Sequence, residues 1–139
     1  MGPSITSAAE VRLGAVPVVL AIGIGGGFGA VSRYSLDRLI EPRVDSAFPW
    51  ATFAINISGC FAVGFLIAAV VDRHRAPQWL KVGLTIGFCG GYTTFSTFAQ
   101  ESLDLIEARD IAIAFASVGA SVLLGVLAVL VGIKVGRLV

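Results

Sequence analysis

The chain has 139 residues, 56% hydrophobic and only 14% charged, with a formal net charge of +1 and a mean hydropathy of +0.90. A soluble domain carries roughly a quarter of its residues as charges, so the composition argues against a soluble enzyme or binding module, and no nucleic-acid partner is expected. The expectation is an all-α integral membrane protein in a lipid bilayer, in which each crossing needs about 20 mainly apolar residues.

A polar tail precedes the first apolar span, Leu13 to Ser32, which lies between Arg12 and Arg33. The span is too long for a cleavable signal, and three more follow. Gly23, Gly25, Gly26, Gly27 and Gly29 crowd it, and small residues at helical spacing let helix backbones approach closely. Gly25, Gly27 and Ala30 have dinucleotide-fingerprint spacing, but no strand signal precedes them, so packing is the better reading.

After the link Arg33–Asp45 comes the second span, Ser46 to Val71. Asn56 sits near its middle, with Thr52 one turn before and Ser58 and Gly59 just after. An amide at that depth must find hydrogen-bond partners. An ordinary interhelical bond, worth about 0.6–2 kcal/mol, would satisfy it. Cys60 here and Cys89 in the next span are isolated thiols with no metal spacing and no disulfide framework, which reads as packing. The link Asp72–Lys81 contains His74, to which no role is assigned.

The third span, Val82 to Gln100, repeats Gly83, Gly87 and Gly91 every four residues. Its centre, Gly90 to Phe98, combines two glycines with β-branched and hydroxyl residues, all poor helix formers. Two outcomes stand open: a packed, intact helix, or a break. Unwound backbone at membrane depth survives only where protein buries it or water fills a cavity beside it. Freed carbonyls there can hold a cation, and half-helix ends can face an anion. Glu101 closes the span, with Arg109 and Arg33 as candidate partners. The fourth span, Ile111 to Ile133, carries Ser117 and Ser121 one turn apart, where back-bonding to helix carbonyls is the ordinary role.

The links leave no room for a second domain, so residues 1–139 read as a single transmembrane domain. Four helices make a thin bundle, which favours a homo-oligomer, most simply a twofold dimer. On one side Arg12, Arg73, Arg75, Lys81, Lys134 and Arg137 face Arg33, Arg38, Arg43 and Arg109 on the other. This bias is too small to fix one orientation. No Asp, Glu, Lys or His lies deep in a span, unlike the usual proton-coupled transporter. The deep polar groups are neutral donors, which suits passage of a small ion.

Gly87-Phe88-Cys89-Gly90-Gly91-Tyr92-Thr93-Thr94-Phe95-Ser96-Thr97-Phe98 closely resembles the third-span signature of the Fluc (CrcB) fluoride channels. The first-span run Gly26 to Tyr34 and the second-span run Thr52 to Gly59 fit the same family. The resemblance implies four transmembrane helices with a break in the third, paired as an antiparallel (dual-topology) homodimer. It implies passive, fluoride-selective export of toxic cytoplasmic fluoride through two pores, in a bacterial inner (plasma) membrane. Matched position by position, Phe95 and Phe98 are pore phenylalanines and Asn56 a pore amide. Ser96, Thr97, Thr52, Ser117 and Ser121 supply hydroxyls, and Arg33 attracts anions at a vestibule. Gly90 and Thr93 offer backbone carbonyls to a structural sodium ion at the dimer axis. The family often has tyrosine where Ser117 stands, which leaves the path along the fourth helix open, and a smaller aliphatic residue where Tyr92 stands. Two rivals differ in their demands. A small multidrug transporter needs a carboxylate in the first span, and a structural subunit would pass no ion.

Overall fold

The computed structural model describes the backbone of residues 5–72 and 76–139, and side chains from Val16 onward within those limits. The Arg12 side chain and Arg73, His74 and Arg75, which entered the charge balance and the link above, lie outside the described residues. Helix α1 spans Ile5–Ile40 and α2 spans Trp50–Leu66, continued by a wide π-helical turn over Ile67–Val71. Helix α3 has three joined parts: Gln78–Val82, the π-helical Gly83–Cys89, and Gly90–Tyr92. Helix α4 spans Phe95–Glu107 and α5 spans Ile111–Gly136.

Three of these, over Val16–Arg43, Trp50–Val71 and Ile111–Gly136, are long and apolar enough to cross a membrane. The chain is therefore a multi-pass, all-helical membrane protein. The helix ends depart from the charge-bounded intervals. Helix α1 runs on through Arg33 and Arg38 to Ile40, because a backbone ladder does not stop where the hydrocarbon does. Helix α2 starts at Trp50 rather than Ser46, directly after Pro49, whose carbonyl receives the Phe53 N–H at 3.0 Å. At its other end, Lys81 Nζ donates to the Val71 carbonyl at 2.8 Å, a cation on the negative end of a helix.

Glycines set how closely the helices pack. A methyl group on Gly25 would run into the Gly83 carbonyl oxygen, one on Gly29 into that of Phe88, and one on Gly91 into that of Gly26. Backbone therefore lies on backbone between α1 and α3. Gly83 meets Ala21, Gly87 meets Ile22 and Gly91 meets Gly26, an order that rises along both helices and makes them parallel. Helices α2 and α5 also meet closely: Gly125 faces Cys60, Gly132 meets the Phe61 carbonyl and Gly136 that of Phe65, an order that rises along both helices and makes them parallel. Between α2 and the third segment the order reverses. Tyr92 meets Ser58, Thr94 meets Asn56, and Glu101 meets Thr52.

Candidate functional site

The third segment is broken. Helical geometry ends after Tyr92, Thr93 is extended at φ −81° and ψ 156°, and Thr94 follows at φ −145° and ψ 116°. Thr94 caps α4, its Oγ1 accepting the Thr97 N–H at 3.2 Å and donating to Thr97 Oγ1 at 3.0 Å. Asn56 of α2 closes the break from the side. Its Oδ1 accepts the Thr94 N–H at 2.9 Å, and its Nδ2 donates to the Thr94 carbonyl at 3.2 Å.

These bonds redirect two ladder donors. In an unbroken helix the Thr94 N–H would bond the Gly90 carbonyl, and the Thr97 N–H that of Thr93. Here both donors go to side-chain oxygens, of Asn56 and of Thr94. The break leaves the carbonyls of Gly90, Gly91, Tyr92 and Thr93 without a backbone N–H partner, and these four include the two that sequence matching assigned to a cation. Backbone carbonyls suit a hard cation such as sodium. Among the described residues, no group of three or more His, Cys, Asp or Glu is placed to hold a metal.

Gly90 and Thr93 line an open groove of about 430 Å³, together with Asn56, Phe95, Phe98 and Ser121. Phe95 is 80% exposed on the groove's outer side, with its ring centroid 5.9 Å from that of Phe98. The groove does not gather every matched residue. Ser117 is 1% exposed and lies inside the helix packing, away from the groove, whereas Ser121 one turn on lines it. Ser96 and Thr97 sit in the first turn of α4, with Ser96 Oγ 3.3 Å from Thr94 Oγ1, and neither lines the groove. Thr52 is buried further along α2 and donates to Glu101 Oε1 at 2.7 Å. Arg33 lies on α1, its buried Nε without a hydrogen-bond partner.

Glu101 is thus met by Thr52 rather than by Arg33 or Arg109, and its Oε2 is buried and unpartnered. It stands one residue beyond the apolar third span, in a pocket of about 380 Å³ that Asp37, Glu41, Asp104 and Asp110 also line. Burial pushes its carboxyl above the ordinary glutamate range, the Thr52 bond opposes this, and Asp37, Glu41 and Asp104 add to the rise. Sequence reading left Glu101 and Tyr92 without roles. The signal for both was polarity at a span end or beside the glycine pair, but their partners lie on α2.

The family pattern described as "CrcB-like protein, Camphor Resistance (CrcB)" matches residues 20–133, which include the broken segment and the whole groove. The chain belongs to the CrcB family. Relatives in this family carry the name fluoride-specific ion channel. One from Flavobacterium psychrophilum is 38% identical over 119 residues, covering 86% of this chain and 96% of the relative. One from Nitrobacter hamburgensis is 42% identical over 123 residues, covering 86% and 94%. One from Bacteroides fragilis is 43% identical over 122 residues, covering 86% and 95%. The CrcB family is one of ion channels and not of enzymes, in keeping with a site built of neutral donors and carbonyls.

Proposed function

We propose that this CrcB-family chain is a fluoride-selective channel that lets toxic cytoplasmic fluoride leave passively across a bacterial inner membrane. The observation that carries the reading is the groove at the helix break, where Asn56, Phe95 and Phe98 meet. Fluoride is small and strongly hydrated, so a path for it must replace water by donors and still hold it weakly enough for exit. An amide has two N–H donors. Asn56 uses one on Thr94, and the other is free to meet an anion. The rings of Phe95 and Phe98 offer positive edges, and Ser121 adds a hydroxyl. None of these is a fixed charge that would trap the ion.

The third segment is the fourth crossing in this reading. Its contacts move along α2 in one direction, Ser58 to Asn56 to Thr52, as the chain passes from Tyr92 to Glu101. The break therefore does not turn the chain back. The groove is open and Phe95 on its rim is largely exposed, so one chain supplies one wall. A second copy, inserted antiparallel as the undecided charge balance allows, closes two such paths in a dual-topology homodimer. A sodium ion at the twofold axis, held by the Gly90 and Thr93 carbonyls of each copy, would give those two carbonyls the partner that the break takes from them.

The test is efflux from liposomes containing only the purified protein, fluoride against chloride. Rapid fluoride loss with chloride retained is expected. A folded, reconstituted protein that passes neither ion would leave a structural subunit as the better reading.

A further inference from the structure

Tyr92 has no part in the conduction reading, yet it is 8% exposed in the last turn of α3. Its ring lies nearly parallel to that of Phe88, with an interplanar angle of 7° and centroids 5.8 Å apart. Its hydroxyl is 2.8 Å from Ser58 Oγ on α2. Ser58 directs its own proton to the carbonyls of Ala54 and Ile55, at 2.8 and 3.0 Å, so Tyr92 is the donor in this pair. Gly59 makes the room, since a Cβ there would stand 3.2 Å from Tyr92 Cδ1 and collide with the Thr93 methyl.

The two residues on either side of Thr93 are therefore both tied to α2. Tyr92, the last helical residue, is bonded to Ser58, and Thr94, the residue that caps the next helix, is bonded to Asn56. We propose that Tyr92 is a positioning residue that fixes where α3 stops. It thereby sets the height of the Gly90 and Thr93 carbonyls and of Phe95 against α2. It acts through the backbone and not on an ion, because its only proton is already given to Ser58. An aliphatic side chain at this position would fill the space between Phe88 and Gly59 but leave Asn56 as the single polar tie to the break. The bearing of Tyr92 on flux rests on the channel reading above, whereas its hold on the break does not.

The experiment compares wild type with Tyr92→Phe, which keeps the ring and removes the donor. Hydrogen exchange is followed by mass spectrometry in peptides covering 90–98 and 111–136, alongside fluoride efflux from liposomes. Exchange in 90–98 is expected to quicken by about five- to tenfold, the scale of one lost neutral hydrogen bond, with 111–136 unchanged and efflux slowed. Ser58→Ala should reproduce the local pattern, and the double variant should add nothing to either single one. Unchanged exchange in 90–98, or equal acceleration in both regions, would overturn the assignment. If wild-type liposomes pass no fluoride, the channel reading falls, and the exchange pattern still decides the role of Tyr92.

Discussion

Asn56 makes two bonds to one residue, and both terminate on backbone. The pairing with Thr94 satisfies an amide and a peptide unit together at a part-buried position on the groove. Asn56→Asp removes the Nδ2 donor and points a carboxylate oxygen at the Thr94 carbonyl. Losing a buried bond of this kind costs about 1–3 kcal/mol, so the folded protein is expected to survive. Fluoride efflux should fall at least about tenfold, while the elution volume in gel filtration stays the same. Unchanged efflux would remove Asn56 from the mechanism. The sequence shows that Asn56 needs partners, because it is an amide in an apolar span. It does not show that the partner is a peptide unit 38 positions on, since that depends on the register of two helices. Ser117 and Ser121 teach the same point. They are equivalent in spacing and hydropathy, and only the rotation of α5 against α2 puts one in the groove and buries the other.

At the scale of elements, the break was half legible. Gly90, Gly91 and the threonines are weak helix formers, but weak propensity alone is compatible with an intact packed helix. What decides the matter is that Asn56 and the Thr94 hydroxyl take over the interrupted ladder. The π-helical turns in α2 and α3 carry no comparable mark in their residues. The end of α4 was also unmarked. Arg109 adopts φ 67°, the left-handed region, and is the sole described non-glycine with a positive φ. Around it the Asp110 N–H bonds the Leu105 carbonyl at 2.9 Å and the Arg109 N–H bonds that of Ile106 at 3.1 Å. This is a Schellman closure, in which glycine is the usual residue at the left-handed position. An L-residue there costs about 1–2 kcal/mol, partly offset by the entropy that glycine loses on folding. Arg109→Gly should therefore raise stability by up to about 1 kcal/mol, read as a higher midpoint of thermal unfolding in detergent. A lower midpoint would show that the arginine side chain contributes more than its backbone costs.

The whole molecule joins two parallel helix pairs, α1 with α3 and α2 with α5, and the acidic pocket forms at one end. Its carboxylates come from α1, the turn after it, α4 and the start of α5, so assembly concentrates negative charge around Glu101. Because folding raises the Glu101 pKa, chiefly through burial, the folded state favours the protonated carboxyl. Its contribution to stability is complete below the ordinary glutamate value of about 4.3 and is lost as pH rises through the raised one. Wild type should thus melt at a lower temperature at pH 7.5 than at pH 5. Glu101→Gln, which retains an oxygen for Thr52, should flatten that difference. An identical slope in the variant would place the pH dependence elsewhere.

The backbone seam between α1 and α3 also governs how the gene can change in length. Each residue in a helix turns the chain by about 100°. A single-codon insertion or deletion between Gly25 and Gly29 would swing one glycine off the seam and bring a side chain against the Phe88 or Gly83 carbonyl. No rotamer can absorb that collision, because both partners are main chain. Single-residue insertions should therefore be tolerated in the connecting turns and not in the stretch of α1 opposite α3, whose length is fixed by main chain and not by side chains.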